Sequence, residues 1–121
     1  MHPSALFAAA DDDFCSLTTR GRRTGHDHEI EIWFALDGST LYLLAGAGEQ
    51  SDWVRNLEAE PTATVRVREH TYSVLGRVVA SDTPEDAQAR DLVFTKYQAR
   101  SAGSLADWRA RALPVALDVT C

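Results

Sequence analysis

Apolar and polar residues alternate most cleanly between positions 28 and 36, where Ile30, Ile32, Phe34 and Leu36 share one face and Glu29, Glu31, Trp33 and Ala35 share the other. A period of two predicts a half-buried antiparallel strand. Asp37-Gly38 then predicts a tight hairpin, because both residue types tolerate positive φ, and "TLYLLA" (40–45) is the return strand. Upstream, 14–19 reads as a first strand. Downstream, Ser51 or Asp52 caps a short helix that Pro61 stops, with Trp53, Val54 and Leu57 at helical spacing. Alternation resumes with Ala63, Val65 and Val67 facing in and Thr64, Arg66 and Arg68 facing out. A hairpin near 69–71 leads into a longer strand in which Gly76 signals a bulge or bend. Thr83-Pro84 followed by acids opens a helix of about four turns. A second short helix (104–111) and a last strand, "LPVALDV", close the pattern.

Six strands joined mostly by hairpins, with helices inserted singly, predict a mainly β, six-stranded antiparallel barrel and not a doubly wound sheet. The 121 residues suit one domain, 1–121, with residues 1–13 a flexible or short helical N-terminus bearing "AAADDD". A net charge of −6 argues against general binding to nucleic acid or anionic lipid, so any anion site must be local. Cys15 and Cys121 form no disulfide or metal framework, which fits a reducing cytoplasm. With no basic leader and no apolar run of about 18 residues, neither a signal peptide nor a membrane span is expected.

Against that charge balance, Arg20, Arg22 and Arg23 crowd into one turn with Gly21 and Gly25. Guanidinium forks beside flexible main chain can converge on phosphate or carboxylate oxygens; a solvated turn is the plainer alternative. "GRRTG" has the spacing of neither a Walker loop nor a dinucleotide fingerprint. His26 and His28 lack further ligands at a recognisable spacing, so no metal is expected. Glu29 and Glu31 flank a face that also carries Trp33, which suggests cover by a second subunit and hence a homodimer. No Gly-x-Ser-x-Gly elbow occurs. Asn56 can contact a ligand or satisfy the neighbouring loop, and Tyr97 suits a pocket wall as well as a core.

In order along the chain, "LTTRGRRTG", "IWFALDGSTLYLLAGAG", "DWVRNLEAEPTATVRV" and "WRARALPVALD" resemble the deazaflavin-dependent nitroreductase family over residues 16–118. The resemblance implies a split β-barrel related to the FMN-binding pyridoxamine-phosphate oxidases, and the deazaflavin coenzyme F420 as cofactor. It implies that Arg22, Arg23, Thr24 and Gly25 grip the anionic tail, while the backbone of Ala45, Gly46, Ala47 and Gly48 and the side chain of Asn56 lie along the ring. His28 and Trp53 complete the implied cofactor-binding set, and Tyr97 approaches ring or substrate. The implied chemistry is hydride transfer to a small quinone, enone or nitro compound, for which the cofactor supplies the reactivity. His28 and Glu31 depart from the family's usual Arg and Pro, and Ala45-Gly46 from its Ser-Lys. These departures leave FMN as the alternative cofactor, and a non-catalytic carrier of flavin, haem or lipid as the alternative function.

Overall fold

A computed structural model describes Leu6 and residues 8–120. Its strands are β1 (Cys15–Arg20), β2 (Asp27–Ile32), β3 (Ala35–Asp37), β4 (Thr40–Ala45), β5 (Thr62–Val67), β6 (His70–Val78) and β7 (Leu113–Val119). Its helices are α1 (Asp52–Ala59), entered through a 3-10 turn at Gly48–Gln50, α2 (Pro84–Gln98) and α3 (Ala106–Arg111). All strand pairs are antiparallel, in the order β2-β1-β5-β6-β7-β4-β3. The two edge strands are consecutive in sequence, joined only by Trp33 and Phe34. Such a link spans at most roughly 11 Å, so the sheet must curl until its edges approach each other.

The expected single strand over 28–36 is therefore two, and the sheet has seven strands where six were expected. The break has a local cause. Phe34 is fully buried, and its backbone bonds leave the sheet for helix α2. The Phe34 N–H donates to the Tyr97 hydroxyl at 2.9 Å, and Lys96 Nζ donates to the Phe34 carbonyl at 2.8 Å. The Tyr97 proton has the carbonyls of Asp13 (2.7 Å) and Phe34 (3.0 Å) within reach. The alternation survives the break: Ile30, Ile32, Phe34 and Leu36 all pack on the core inside the curl, while Trp33 and Ala35 join the outer one.

That outer core lies between the sheet and helices α2 and α3, where Tyr42 and Leu44 meet Ala89 and Val93. Because β4 also sends Leu41, Leu43 and Ala45 into the inner core, it is buried on both faces, which fits its unbroken apolar run. Helix α2 begins as expected, with the Thr83 hydroxyl accepting the Asp86 N–H at 3.1 Å and Pro84 in the first turn. Trp33 needs no second subunit to cover it. Its ring stacks on Tyr97 at 4.3 Å and meets the edge of Trp108 at 5.6 Å, so the original motive for a partner at this face is gone.

Gly76 makes no bulge, since the β6–β7 register runs through it residue for residue. What it provides is room: a Cβ there would lie 2.8 Å from Leu57 Cδ2, so only glycine lets α1 seat this closely on the sheet. Residues 1–5 and 7 lie outside the described residues. Of the N-terminal segment that is described, Leu6 and Ala9 are buried in the inner core, Asp12 pairs with Arg68 at 2.8 Å, and Asp13 pairs with Arg100 at 2.5 Å.

Candidate functional site

The connection from β1 to β2 is a closed turn. Gly21 N–H donates to the His26 carbonyl and Gly25 N–H to the Gly21 carbonyl, both at 2.8 Å, and Gly25 takes a φ of +74°. Side-chain anchoring comes from α1. Asn56 is 3% exposed, and its Oδ1 accepts both the Arg22 backbone N–H (3.2 Å) and Arg22 Nη1 (2.8 Å), while its Nδ2 donates to Thr19 Oγ1 (3.2 Å). Asp52, one helical turn earlier, receives Arg22 on its carbonyl (3.4 Å) and on Oδ1 (3.3 Å). Since Leu57 and Gly76 fix α1 on the sheet, Asn56 and Asp52 in turn fix the arginine turn on α1.

Turn, β2 and α1 enclose a cleft of about 400 Å³. The two adjacent arginines on its wall differ. Arg22 is bound internally, whereas the Arg23 guanidinium has no ion pair or hydrogen bond among the described residues, and the backbone N–H groups of Arg23 and Thr24 find no acceptor there either. Consecutive N–H groups without acceptors beside a cation are the donor set from which anion-binding concavities are built. His28 lines the same cleft. Its ring fills the space a side chain at Gly21 would need, since a Cβ there would lie 2.6 Å from His28 Nε2. Glu29 also lines the cleft but lies 3.7 Å from Arg66.

A family model described as F420H(2)-dependent quinone reductase matches residues 8–119. The chain belongs to that family. Among solved structures, it resembles an F420-H2 dependent reductase (FDR-A) at 18% identity and a TM-score of 0.71, over 90% of this chain and 95% of that one. HutZ, the haem storage protein of Vibrio cholerae, is similar at 16% identity and 0.73, over 100% and 92%. A protein described as a domain-swapped dimer is similar at 19% and 0.70, over 91% and 81%. These likenesses bear on the fold, which is the antiparallel split barrel with seven strands.

Within this quinone reductase family member, Arg22, Arg23, Thr24, His28, Trp53 and Asn56 share the cleft. Gly25 shapes the turn without lining the cleft. The segment Ala45–Gly48 is not on its wall: Ala45 is buried in the inner core, Gly46 sits beside Trp108, and Gly48 starts the 3-10 turn into α1. Tyr97 is not there either. It is 2% exposed, stacked on Trp33, and its hydroxyl is engaged with the main chain of Phe34 in the sheet break and of Asp13 ahead of β1. Burial, as the largest cause, pushes its phenol up to about 12. Cys15, buried in the inner core, is likewise raised to about 12 and is no nucleophile.

Sequence reasoning took Asp52 only as a candidate helix cap and missed its contact with Arg22, whose signal was its position four residues before Asn56 on one helix face. Lys96, the only lysine, holds the Phe34 carbonyl at the sheet break, and burial and then Arg100 lower it to about 8. Among the described residues no helix is long and apolar enough to cross a membrane.

Proposed function

We propose that this chain is an F420-dependent oxidoreductase that reduces a small electron-poor acceptor such as a quinone, enone or nitro compound. One observation carries the reading: in a chain rich in carboxylates, an Arg23 guanidinium and two N–H groups without partners among the described residues lie together in a turn that Asn56 and Arg22 hold in place. The donor set suits the negatively charged tail of a deazaflavin. Arg23 and the Arg23–Thr24 main chain would hold tail oxygens through charge-assisted hydrogen bonds. Arg22 and Asn56 would keep those donors aimed, and Trp53, half-buried on the adjoining wall, would carry an apolar surface towards Ala45–Gly48 and the ring. When bound, the reduced cofactor supplies a hydride to the acceptor. The protein's part is orientation and exclusion of water, which explains why no acid–base dyad is needed.

Titration of the purified protein with oxidised F420, followed by coenzyme fluorescence, tests this. Saturable micromolar binding, with oxidation of the reduced coenzyme on adding a quinone such as menadione, is the expected result. No binding at tens of micromolar counts against it. A yellow protein as purified would point to FMN, and copurified haem or lipid without turnover would point to a carrier. The reading includes a homodimer in a reducing cytoplasm; a monomer by light scattering removes the first of these.

A further inference from the structure

The only lysine of the chain, Lys96, lines a groove of about 390 Å³ between α2, β3 and the segment ahead of β1, together with Leu36, Leu92 and Arg100. Its side chain is half-buried there and makes no ion pair among the described residues. A lysine that gives up water normally gains a carboxylate in exchange. This one has instead the Phe34 carbonyl, 2.8 Å from Nζ, and the face of the Phe34 ring, whose centroid is 3.8 Å away.

Both of these neighbours are electron-rich, so each draws an N–H towards itself and repels a lone pair. When the ammonium gives up one proton, an N–H still serves the carbonyl, and the lone pair is turned away from carbonyl and ring, to the groove side. The anchor therefore holds the amine ready to attack. The charges facing the nitrogen do not compensate its burial. Asp12 is spent on Arg68, Asp13 on Arg100, and Asp91, which also lines the groove, on Arg109. Asp37 of β3 accepts a hydrogen bond from Gln88, and the Cys15 thiol and Tyr97 phenol are both pushed up to about 12. Burial first, and then the like charge of Arg100, outweigh the more distant help of Asp11 and Asp12, and the amine is half free at about pH 8.

We propose that Lys96 is a modification site: its amine, anchored on Phe34 with the groove in front of it, is acylated by small acyl donors such as acyl phosphates and thioesters. Nζ attacks the acyl carbon and an N–C bond forms. The bond from that carbon to phosphate oxygen or thiol sulfur breaks, the leaving group keeps the electron pair, and Nζ releases a proton to solvent. Nothing is oxidised or reduced. The amide product retains an N–H for the Phe34 carbonyl and loses the charge over the ring. This site is separate from the anion cleft and stands or falls without it.

At about pH 8 an ordinary lysine, with its midpoint near 10.4, carries roughly a hundredfold less free amine than a group at half titration. A weaker base is also a weaker nucleophile, and with thiols as the guide this takes back about tenfold. About tenfold faster acylation remains as the expected effect.

Acetyl phosphate is the probe, and Glu69→Lys supplies an exposed amine in the β5–β6 turn for comparison within the same molecule. Peptide mass spectrometry follows both positions in the whole chain from about pH 6.5 to about pH 10.5, folded and in guanidinium chloride. In the folded chain Lys96 should react about tenfold faster than position 69 at about pH 8, and its rate should level off above that pH while the rate at position 69 keeps climbing. In denaturant the two positions should become equal. A Lys96 rate in the folded chain no greater than that of position 69, or one that still climbs at about pH 10, overturns the proposal. So does an advantage that survives denaturant, because it would then come from the neighbouring sequence and not from the groove.

Discussion

Two arginine centres of this protein, a lone residue in a strand and a crowded turn, differ in what they leave free. At the far side of the sheet, Arg77 of β6 donates to Glu85 of α2 (2.6 and 2.8 Å) and to Asp118 of β7 (2.7 Å). Tyr42 closes the same network by donating to Glu85 at 2.7 Å, as Thr40 does to Asp118 at 2.9 Å. That centre joins three strands and a helix, and its guanidinium is held by two carboxylates. In the β1–β2 turn, Arg22 is bound in the same closed manner, but Arg23 beside it is not. Within the crowded turn, what separates Arg23 from Arg22 and Arg77 is that it has no internal partner among the described residues.

The strongest way to break this comparison is to remove the closed centre. Arg77→Ala leaves Glu85 and Asp118 facing each other without their shared cation. Their side chains are 32% and 39% exposed, so solvent softens the penalty. A loss of about 2 kcal/mol is expected, roughly 8 °C in Tm for a domain of this size, with anion affinity unchanged. Thermal melts and a sulfate titration on the same sample check both halves. If affinity fell along with stability, the two centres would not be independent.

Next in size is the contrast between neighbours. Arg23→Ala should lower affinity for anionic ligand about tenfold while moving stability by less than about 0.5 kcal/mol, because it removes a charge-assisted contact and no internal bond. Arg22→Ala should lower both affinity and Tm, since it removes the side-chain bonds to Asn56 and Asp52 and leaves only the backbone N–H on Asn56. Calorimetric titration beside melting curves separates them. Equal behaviour of the two variants would erase the distinction drawn between them.

Much of the fold was readable because one face of each strand meets a core: Val65 and Val67 against Thr64 and Arg66 is a local statement that the structure repeats. The caps of α2 were readable for the same reason, as Thr83 and Asp86 are neighbours in the chain. The break at Trp33–Phe34 was not, because the alternation passes through it unchanged and its cause, the Tyr97 hydroxyl, lies 63 residues away. Gly76 shows a signal read correctly as special and wrongly explained; its partner is a leucine on another element. The turn itself was visible in the sequence, but which arginine was free was not. Adjacent identical residues carry no mark of direction, and the choice between them is made by Asn56, 34 residues on.

The smallest effect sharpens the closed centre by pH. Arg77, as the first cause, and Tyr42, as the second, hold the Glu85 carboxyl down at about 2, from an ordinary value of 4.5. Its folded value lies below its unfolded one, so the stabilisation is fully present above about pH 4.5 and disappears as pH falls towards 2. After discounting for solvent screening, about 1 kcal/mol should vanish across that window. Asp118, also lowered mainly by Arg77, adds to the same trend at its acidic end. Urea unfolding at a series of acidic pH values should therefore show stability falling with pH in the native chain and a shallower fall in Glu85→Gln. Tyr42→Phe offers the finer test. It removes only the second cause, so the Glu85 midpoint should move up part of the way, and less than in Arg77→Ala. Should Tyr42→Phe move it as far as Arg77→Ala, the guanidinium is not the organising charge, and this centre would differ from the turn in composition as well as in closure.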